Sequence, residues 1–469
     1  MKKYFLLAWV TLGIGFTACE DDEKAGDVGN VEVIEDSQPS AARPAKGFYV
    51  ANEDWFGHDK GTVNYFKVNG NEYDIVYRAY RAANEDETLG VTTQFGTTWG
   101  NNIYLMSKQE NRFVVADANT LRKKAVFTEI GGDGRSFVGV DDKTGYISHS
   151  NGVRQFDIVN LQLGDAVDGI TQQVGAMCYA EGRVFALTPE KAYIIDVATN
   201  TVEKTLDGSF NTLTRSKDGT VWIATDDNFL KVNPQTLEEE TMEYPEGMKV
   251  GSFWGAWNAG SLCAGTQTNT LYWTKSGWSS SIMVKYDIDT QSFNPAFYTL
   301  GKHENKQLTF YGAGVRVDPL TDRIVATVIR GYDYNYNWVQ IINPDGTLEK
   351  EIEVKGGGET GESEYYWFPA VPFFEDANTP EILINQILLS PKETKTIDLR
   401  EKIVDADNTS VSIIHQVEFA DNKLVDYSLE AGILTVTAKE NLGNTECKVI
   451  AISNGKRIEK KVRVDVALQ

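Results

Sequence analysis

The chain has 469 residues, of which 41% are apolar and 24% are charged, a balance typical of a folded protein with a substantial core. Lysine and arginine number 45 against 67 acidic residues, so the formal net charge is −22. This charge argues against a nucleic-acid-binding protein, which needs a basic surface, and against electrostatic binding to anionic lipid. The length allows up to three domains, or one large all-β domain and a small one.

The N-terminus has the pattern of a secretion signal. Lys2 and Lys3 precede an apolar stretch over residues 4–16, which is too short for a membrane-spanning helix and right for a signal peptide. Small residues then precede Cys19, as in the cleavage site of bacterial lipoproteins. We therefore expect a signal peptide over residues 1–18 and a lipid on Cys19. The alternative is an ordinary signal peptide with a coincidental cysteine.

The segment after the predicted cleavage site is acidic and polar. The run Glu20–Lys24 resembles the surface-export signal of Bacteroidetes lipoproteins. Residues 19–46 hold few apolar side chains, so we expect a lipidated, flexible tether. Together these features predict a protein of the outer membrane that faces the cell exterior and is held to the membrane only by its lipid.

A repeat organises residues 47–375. Short runs that alternate apolar and polar residues recur with turns between them, which is typical of strands rather than helices. In the clearest copy, Val221–Thr225 is followed by Phe229–Asn233, a turn and a third run from Leu237. Copies start at residues 48, 103, 146, 184, 221, 271 and 324, and this spacing is typical of four-stranded propeller blades.

The last apolar run of the repeat region predicts how the ring closes. No blade follows residues 366–374, so we expect this run to form the inner strand of the first blade, whose other strands begin at Gly47. The sequence therefore predicts an all-β fold, with a seven-bladed β-propeller over residues 47–375. A β-sandwich or a solenoid is the alternative.

Residues 380–469 have a different character. No tryptophan lies beyond Trp367, and short alternating runs such as Ile433–Thr437 predict a small immunoglobulin- or cadherin-like β-sandwich. Asp405 and Asp407 have the spacing of calcium ligands, although two carboxylates are few for calcium and a solvated turn is the simpler interpretation. The three cysteines after Cys19 are far apart in strand-like runs, which predicts buried thiols rather than disulfides.

Four loops of the predicted propeller are rich in aromatic and amide side chains. They cover residues 52–58, 276–281, 331–338 and 362–367, on the face where propellers usually bind ligands. Rings supply stacking area while amides and hydroxyls orient a ligand, so this cluster predicts a surface for a large, flat ligand with polar edges. Single loop aromatics also cap blade edges, which is the alternative for each residue alone. The candidate ligand-binding residues are Trp55, Phe56, His58, Trp278, Tyr332, Tyr334, Tyr336, Trp338 and Tyr365.

The sequence has no catalytic signature. It contains no nucleophile elbow, no zinc-protease motif, no phosphate-binding loop and no dinucleotide fingerprint, and its four histidines lack metal-ligand spacing. We therefore expect no catalytic residues, no metal and no cofactor. A propeller lactonase with a central metal is the enzymatic alternative.

The first blade resembles a known family. Gly47–Glu53, with Phe56 and Gly61–Val63 after it, is similar to the YncE-like propeller lipoproteins of Bacteroidetes, a group that includes the cobalamin-binding BtuG proteins. The closing run Trp367–Pro369 also looks like members of this family. The resemblance implies a seven-bladed propeller and, in the BtuG branch, corrinoid capture beside an outer-membrane transporter. The chain departs from that branch in its C-terminal sandwich and longer loops, so no binding residue is transferred.

These observations predict a non-enzymatic surface lipoprotein. We expect it to capture a bulky nutrient, most concretely a corrinoid, for a TonB-dependent transporter, with no nucleic-acid partner. The alternatives are a glycan-binding protein of a polysaccharide-uptake system and a propeller scaffold for protein interactions.

Overall fold

The computed structural model describes residues 37–55, 59–250, 254–275, 280–331, 333–355 and 365–468, apart from the side chain of Tyr334. The strands of this part form ten sheets. Helical structure there is limited to Ala79–Ala83, Leu399–Lys402 and the 3-10 turn Ser410–Ser412. None of the helices described could cross a membrane, being too short and insufficiently apolar. The predicted signal peptide and the lipidation site at Cys19 lie outside the described residues.

Seven sheets form a seven-bladed β-propeller, as predicted, with the innermost strand of each blade in contact with those of its neighbours. From the axis outward, blade 1 comprises Pro369–Phe374, Gly47–Asn52, Thr62–Asn69 and Glu72–Val76. Blade 2 comprises Val91–Trp99, Asn102–Gln109, Phe113–Asp117 and Lys123–Phe127. Blade 3 comprises Gly134–Gly139, Thr144–His149, Gly152–Asp157 and Gln162–Ala166. Blade 4 comprises Met177–Ala180, Arg183–Leu187, Lys191–Asp196 and Thr201–Asp207.

The other three blades complete the ring. Blade 5 comprises Phe210–Arg215, Val221–Thr225, Asn228–Val232 and Glu239–Glu243. Blade 6 comprises Cys263–Ala264, Thr270–Thr274, Ile282–Asp287 and Ser292–Thr299. Blade 7 comprises Lys306–Val317, Ile324–Arg330, Asp333–Ile342 and Leu348–Val354, with the short strand Lys302–His303 beside the first of these.

The ring closes in blade 1 by pairing two distant parts of the chain. Pro369–Phe374 runs antiparallel to Gly47–Asn52, with Val50 opposite Pro372 and Phe48 opposite Phe374. This pairing leaves no innermost strand without a neighbour, and it removes the exposed edge that an open set of blades would present. The predicted closure is confirmed.

Aromatic packing between neighbouring blades fills the ring. Tyr104 of blade 2 stacks on Phe137 of blade 3 with ring centroids 3.9 Å apart, and Phe113 meets Phe156 edge-on at 5.0 Å. All four side chains are buried. Burial of one such ring contributes about 1.5–3 kcal/mol relative to an exposed one, so this packing stabilises blades 2 and 3 against each other.

The C-terminal domain is a small β-sandwich. One sheet contains Gln386–Leu389, Lys456–Val466, Gly443–Ser453 and Ile414–Phe419. The facing sheet contains Thr394–Asp398, Ile433–Ala438 and Val425–Glu430. A further pair joins Glu381–Ile382 to Ile403–Val404. Buried residues such as Leu389, Leu434 and Val464 form a core that is separate from that of the propeller.

The C-terminal domain covers one end of the propeller. Arg215 donates a hydrogen bond to the carbonyl oxygen of Val411 at 2.9 Å, and the Gln267 amide donates to the carbonyl oxygen of Ala406 at 2.9 Å. Both propeller residues lie where the first strand of a blade turns into the second. We call this end the closed face. The opposite end carries the loops between second and third strands and the loops between blades, and we call it the open face.

Residues 37–46, which the sequence assigned to the tether, pack against the junction between the two domains. Backbone nitrogens of this segment bond to residues 375–383 in antiparallel order. The four bonds run from Ser37 N to Leu383 O at 2.8 Å, Ser40 N to Glu381 Oε2 at 2.9 Å, Arg43 N to Asn378 Oδ1 at 2.8 Å and Lys46 N to Glu375 Oε2 at 2.7 Å. We call these paired segments the clasp.

Candidate functional site on the open face

Four aromatic side chains form a row on the open face. Trp55 stacks on Tyr366 with ring centroids 5.1 Å apart, and Tyr366 stacks on Phe368 at 6.2 Å. Phe368 contacts Tyr311 of blade 7 edge-on at 5.6 Å. Trp55 is 42% exposed, Tyr366 and Phe368 are half-buried, and Tyr311 is buried. This aromatic row therefore leads from solvent at Trp55 to the innermost strand of blade 7 at Tyr311.

Backbone hydrogen bonds hold the aromatic row in place. The Glu53 nitrogen donates to the Phe368 carbonyl at 2.9 Å, and the Asp54 nitrogen donates to the Trp367 carbonyl at 3.0 Å. Phe368 has φ of 45° and Asp54 has φ of 55°, both in the left-handed region. A non-glycine residue there costs on the order of 1–3 kcal/mol, so the surrounding bonds impose this arrangement.

Two buried carboxyl groups lie next to the aromatic row. Glu53 accepts a hydrogen bond from Gln94 Nε2 at 2.8 Å and another from the Tyr311 hydroxyl. Asp54 accepts from Thr62 Oγ1 at 2.6 Å. Burial raises the pKa of Glu53, and it raises the pKa of Asp54 well above its usual range. Glu53 therefore links the loop of blade 1 to blades 2 and 7, and Asp54 links it to the next strand of blade 1. Each link requires the burial of a carboxyl group, which is unfavourable for its charged form.

A second layer of aromatic residues supports the row from inside the protein. Tyr365 donates a hydrogen bond to Asp59 Oδ2 at 2.7 Å and meets Trp367 edge-on at 4.8 Å. The Arg78 guanidinium lies over both rings, 5.0 Å from the Tyr365 centroid and 4.9 Å from that of Trp367. Burial raises the pKa of Tyr365, so its hydroxyl remains a donor at neutral pH.

Trp257 occupies the propeller axis at the open face. It belongs to the loop that leads into blade 6, yet its indole lies 5.9 Å from the guanidinium carbon of Arg135 in blade 3 and packs with Phe373 of blade 1. A Cβ atom at Gly175 of blade 4 would lie 2.3 Å from Trp257 Nε1, so only glycine admits the indole there. Trp257 therefore brings together residues of blades 1, 3 and 4 at the axis.

Two polar atoms near the axis are buried without a hydrogen-bond partner in the described part of the chain, Gln94 Oε1 and Arg135 Nε. Arg135 is 6% exposed and donates to the Gly134 carbonyl at 2.9 Å and to Gln173 Oε1 at 3.3 Å. Burial lowers the pKa of Arg135, which reflects the cost of desolvating its charge. Both atoms lie beneath the surface that a ligand on the open face would contact.

The structure divides the nine predicted ligand-binding residues into three groups. Trp55 is exposed in the aromatic row, and Tyr336 is half-buried beneath Arg330, whose guanidinium carbon lies 3.3 Å from the ring centroid. Trp338 is 5% exposed, 5.0 Å from the His303 ring, and Tyr365 is 6% exposed. The others, Phe56, His58, Trp278, Tyr332 and the side chain of Tyr334, lie outside the described residues.

Sequence reasoning missed Tyr366 and Phe368. The signal was available, because exposure alternates along this segment: Tyr365 and Trp367 are buried, whereas Tyr366 and Phe368 are half-buried. Because side chains of an extended segment point alternately to opposite sides, applying a two-residue period to residues 365–368 would have assigned Tyr366 and Phe368 to the exposed side. Trp257 carried no comparable signal, because its loop reaches across the ring to residues distant in sequence.

The described groups of the open face can stack on a ligand and form hydrogen bonds with it. No group of three or more His, Cys, Asp or Glu side chains within the described ranges is arranged to hold a metal ion. Cys178, Cys263 and Cys447 are free, and burial raises the pKa of each thiol to about 12. What the site offers is ring stacking at the aromatic row and hydrogen bonding beside it.

One of two comparisons with solved structures supports this architecture. A crystal structure of a quinoprotein alcohol dehydrogenase-like protein from Bacteroides thetaiotaomicron is 15% identical with a TM-score of 0.53, over 71% of this chain and 78% of that one. The extracellular domain of a hybrid two-component system from the same organism is 12% identical with a TM-score of 0.44, over 91% of this chain and 56% of that one. At such identities the first likeness shows the propeller fold alone.

No curated protein sequence matches the chain. A family model described as a domain of unknown function, DUF5074, matches residues 46–375. These limits agree with the propeller, from its first strand at Gly47 to its closing strand at Phe374. Since the match covers well over half of the chain, the protein belongs to the DUF5074 family.

Proposed function

We propose that the protein is a non-enzymatic, surface-exposed lipoprotein that binds a bulky, flat ligand with polar edges on its open face. A corrinoid is the first candidate ligand, and a TonB-dependent outer-membrane transporter is the partner that would receive it. The observation that carries the proposal is the aromatic row, in which Trp55 is 42% exposed at the end of a stacked series. Exposed stacked rings beside polar groups suit a large conjugated ligand.

Two further features support this function. The C-terminal domain covers the closed face, so the open face is the end of the propeller available to a bulky ligand. Ser37 bonds to Leu383 at the junction, so a tether from Cys19 would join the described chain on the closed-face side, opposite the aromatic row. The surface location itself rests on the sequence of residues 1–24.

A glycan is the second candidate ligand. An exposed tryptophan such as Trp55, held flat by a stacked neighbour, is also a suitable platform for the apolar face of a sugar ring. The two candidates differ in affinity, because a corrinoid covers far more ring surface than a single sugar does.

Calorimetric titration of the purified protein with cyanocobalamin tests the proposal. We expect one-to-one binding without added metal, and we expect Trp55→Ala to weaken it at least tenfold, which is about 1.4 kcal/mol and typical of one lost stacking contact. Tyr427→Ala is the matched control, because Tyr427 is also 42% exposed but lies in the C-terminal domain.

Two outcomes would contradict the corrinoid assignment. One is the absence of binding at high micromolar cyanocobalamin. The other is equal loss of affinity in the Trp55 and Tyr427 variants. If a panel of oligosaccharides then bound the native protein and not the Trp55 variant, the glycan function would replace the corrinoid function.

A further inference from the structure

A second candidate site lies inside the ring, towards the closed face. A cavity of about 460 Å³ lies between the innermost strands and the C-terminal domain. Propeller residues such as Thr97, Leu213 and Val371 line its sides, and Asn408 and Ser412 of the C-terminal domain line its end. This volume is within the range of small-molecule pockets in proteins.

One arginine in this cavity has no acidic partner. Arg316 lies on the innermost strand of blade 7, and its Nη1 donates to the carbonyl oxygens of Gly260 at 3.0 Å and Val315 at 2.7 Å. No ion pair joins it to a carboxylate among the residues that the structure describes. Burial lowers the pKa of Arg316, opposed only by the nearby Cys263 thiol. Arg316 is half-buried, and a partly desolvated guanidinium without a counter-ion is costly, so the position favours an anion.

Four other charged side chains line the cavity: Arg215 and Asp376 are ion-paired, and Asp407 and Glu375 accept hydrogen bonds from neutral donors. Arg215 pairs with Glu181 at 3.0 Å, and Lys456 pairs with Asp376 at 3.0 Å. The Asp407 carboxylate accepts the Asn378 amide at 2.8 Å, and the Glu375 carboxylate accepts the Tyr65 hydroxyl at 2.8 Å. Among the described residues, Arg316 is therefore the basic side chain of the cavity without an ion pair, whereas the bonds to Asp407 and Glu375 come from neutral donors.

We propose that this cavity binds a small organic carboxylate through Arg316. The planar guanidinium matches the two oxygens of a carboxylate and, with Nη1 engaged by the backbone, is fixed in orientation. Thr97 and Thr214 line the same cavity and have hydroxyls that can serve as further donors, and Leu213 provides apolar surface for the body of the ligand. The site differs from the aromatic row in position and in ligand, so it does not depend on the function proposed for the open face.

Thermal unfolding and calorimetry of the full protein test this site with defined probes. Sodium acetate, sodium benzoate and sodium phosphate are each added at constant ionic strength after long incubation, and benzyl alcohol serves as the neutral isostere of benzoate. We expect benzoate to raise the melting temperature by about 3 °C at saturating concentration, and we expect benzyl alcohol to have no effect. A larger response to phosphate than to both carboxylates would overturn the carboxylate assignment.

Variants make the test specific. Arg316→Met should abolish the response to benzoate. Arg316→Lys keeps the positive charge but loses the planar guanidinium that bonds both carboxylate oxygens, so it should weaken binding at least tenfold. Arg122→Met is the matched control on the exposed surface and should respond as the native protein does. The proposal fails if no carboxylate stabilises the native protein, or if the Arg316→Lys protein binds benzoate as tightly as the native protein. The lysine variant keeps the proposal testable even if the methionine variant does not fold.

Discussion

A single buried carboxyl group makes the domain junction sensitive to pH. The Asp376 side chain is 7% exposed and pairs with Lys456 at 3.0 Å. Burial, and then the charge of Asp407, raise the pKa of Asp376 to about 7. Because the unfolded value is near 4, the folded protein binds the extra proton between these values. The stabilisation is therefore complete at acid pH and is lost as the pH rises through about 7.

The difference between the folded and unfolded pKa of Asp376 gives a direct prediction for the variant Asp376→Asn. Between pH 5.5 and 8, ionisation of Asp376 lowers the free energy of unfolding by roughly 2 kcal/mol, and an amide cannot contribute to that decline. Urea unfolding at pH 5.5 and at pH 8 measures this loss of free energy of unfolding. We expect the loss to be smaller by roughly 2 kcal/mol in the variant than in the native protein. Asp207→Asn, at a side chain that is 83% exposed, should leave the decline unchanged. An identical pH dependence in the native and Asp376 proteins would contradict the assignment.

At the same scale, the sequence predicted which loops are aromatic but not which of their rings face solvent. Trp55 is where an exposed ring was expected, but Trp338 and Tyr365 are buried at 5% and 6% exposure. Their burial depends on neighbours such as His303 and Arg78, which come from other loops of the ring. Composition shows that a loop is aromatic, whereas only the three-dimensional packing decides which rings face solvent.

At the scale of elements, the closing strand of blade 1 is where the ring is most vulnerable. Val371 is 2% exposed and lies opposite Ala51 in the closing pair. Val371→Asp would place an unpaired carboxylate in the core, at a cost above about 3 kcal/mol. Val76→Asp changes the outer strand of the same blade at a residue that is 41% exposed, and it should cost no more than about 0.5 kcal/mol.

Urea unfolding distinguishes the two positions of blade 1. We expect a large drop in midpoint for Val371→Asp and a native midpoint for Val76→Asp. Equal midpoints in the two variants would show that the ring does not depend on the closing strand.

The elements themselves were predictable because each blade repeats one local pattern. The predicted starts at residues 48, 103 and 271 fall within one residue of strands that begin at Gly47, Asn102 and Thr270. Alternation within a strand and turns between strands are local properties, so they are visible in the sequence. The docking of residues 37–46 is not local: it depends on carboxylate and amide acceptors more than 300 residues away.

At the scale of the whole molecule, a few polar contacts join two independent cores. Arg215 and Gln267 each donate one hydrogen bond to a backbone carbonyl of the C-terminal domain. The combined variant Arg215→Met and Gln267→Ala should weaken the interface by roughly 2 kcal/mol, at about 1 kcal/mol for each bond. Hydrogen exchange should then be about 30-fold faster at the Gly100 amide, which bonds to the Asn454 carbonyl across the interface.

A matched control lies within a single blade. Arg154 bonds to Gly164 and Asn160 bonds to Asp157, all in or beside blade 3. The combined variant Arg154→Met and Asn160→Ala therefore removes an arginine and an amide without touching the interface. If exchange at Gly100 were accelerated equally in both double variants, the contacts of Arg215 and Gln267 would not be what holds the domains together.

The clasp determines how the molecule would respond to a pulling force. A load applied through a lipid on Cys19 reaches the bond from Ser37 to Leu383 first, and then those of Ser40, Arg43 and Lys46 in turn. Because these bonds carry the load one after another, each breaks at low force. Each break frees about three more residues of the segment that links the propeller to the lipid. The clasp would thus open under a pulling force before the first strand of the propeller is pulled away from blade 1. The aromatic row would therefore keep its structure while the cell surface is under shear.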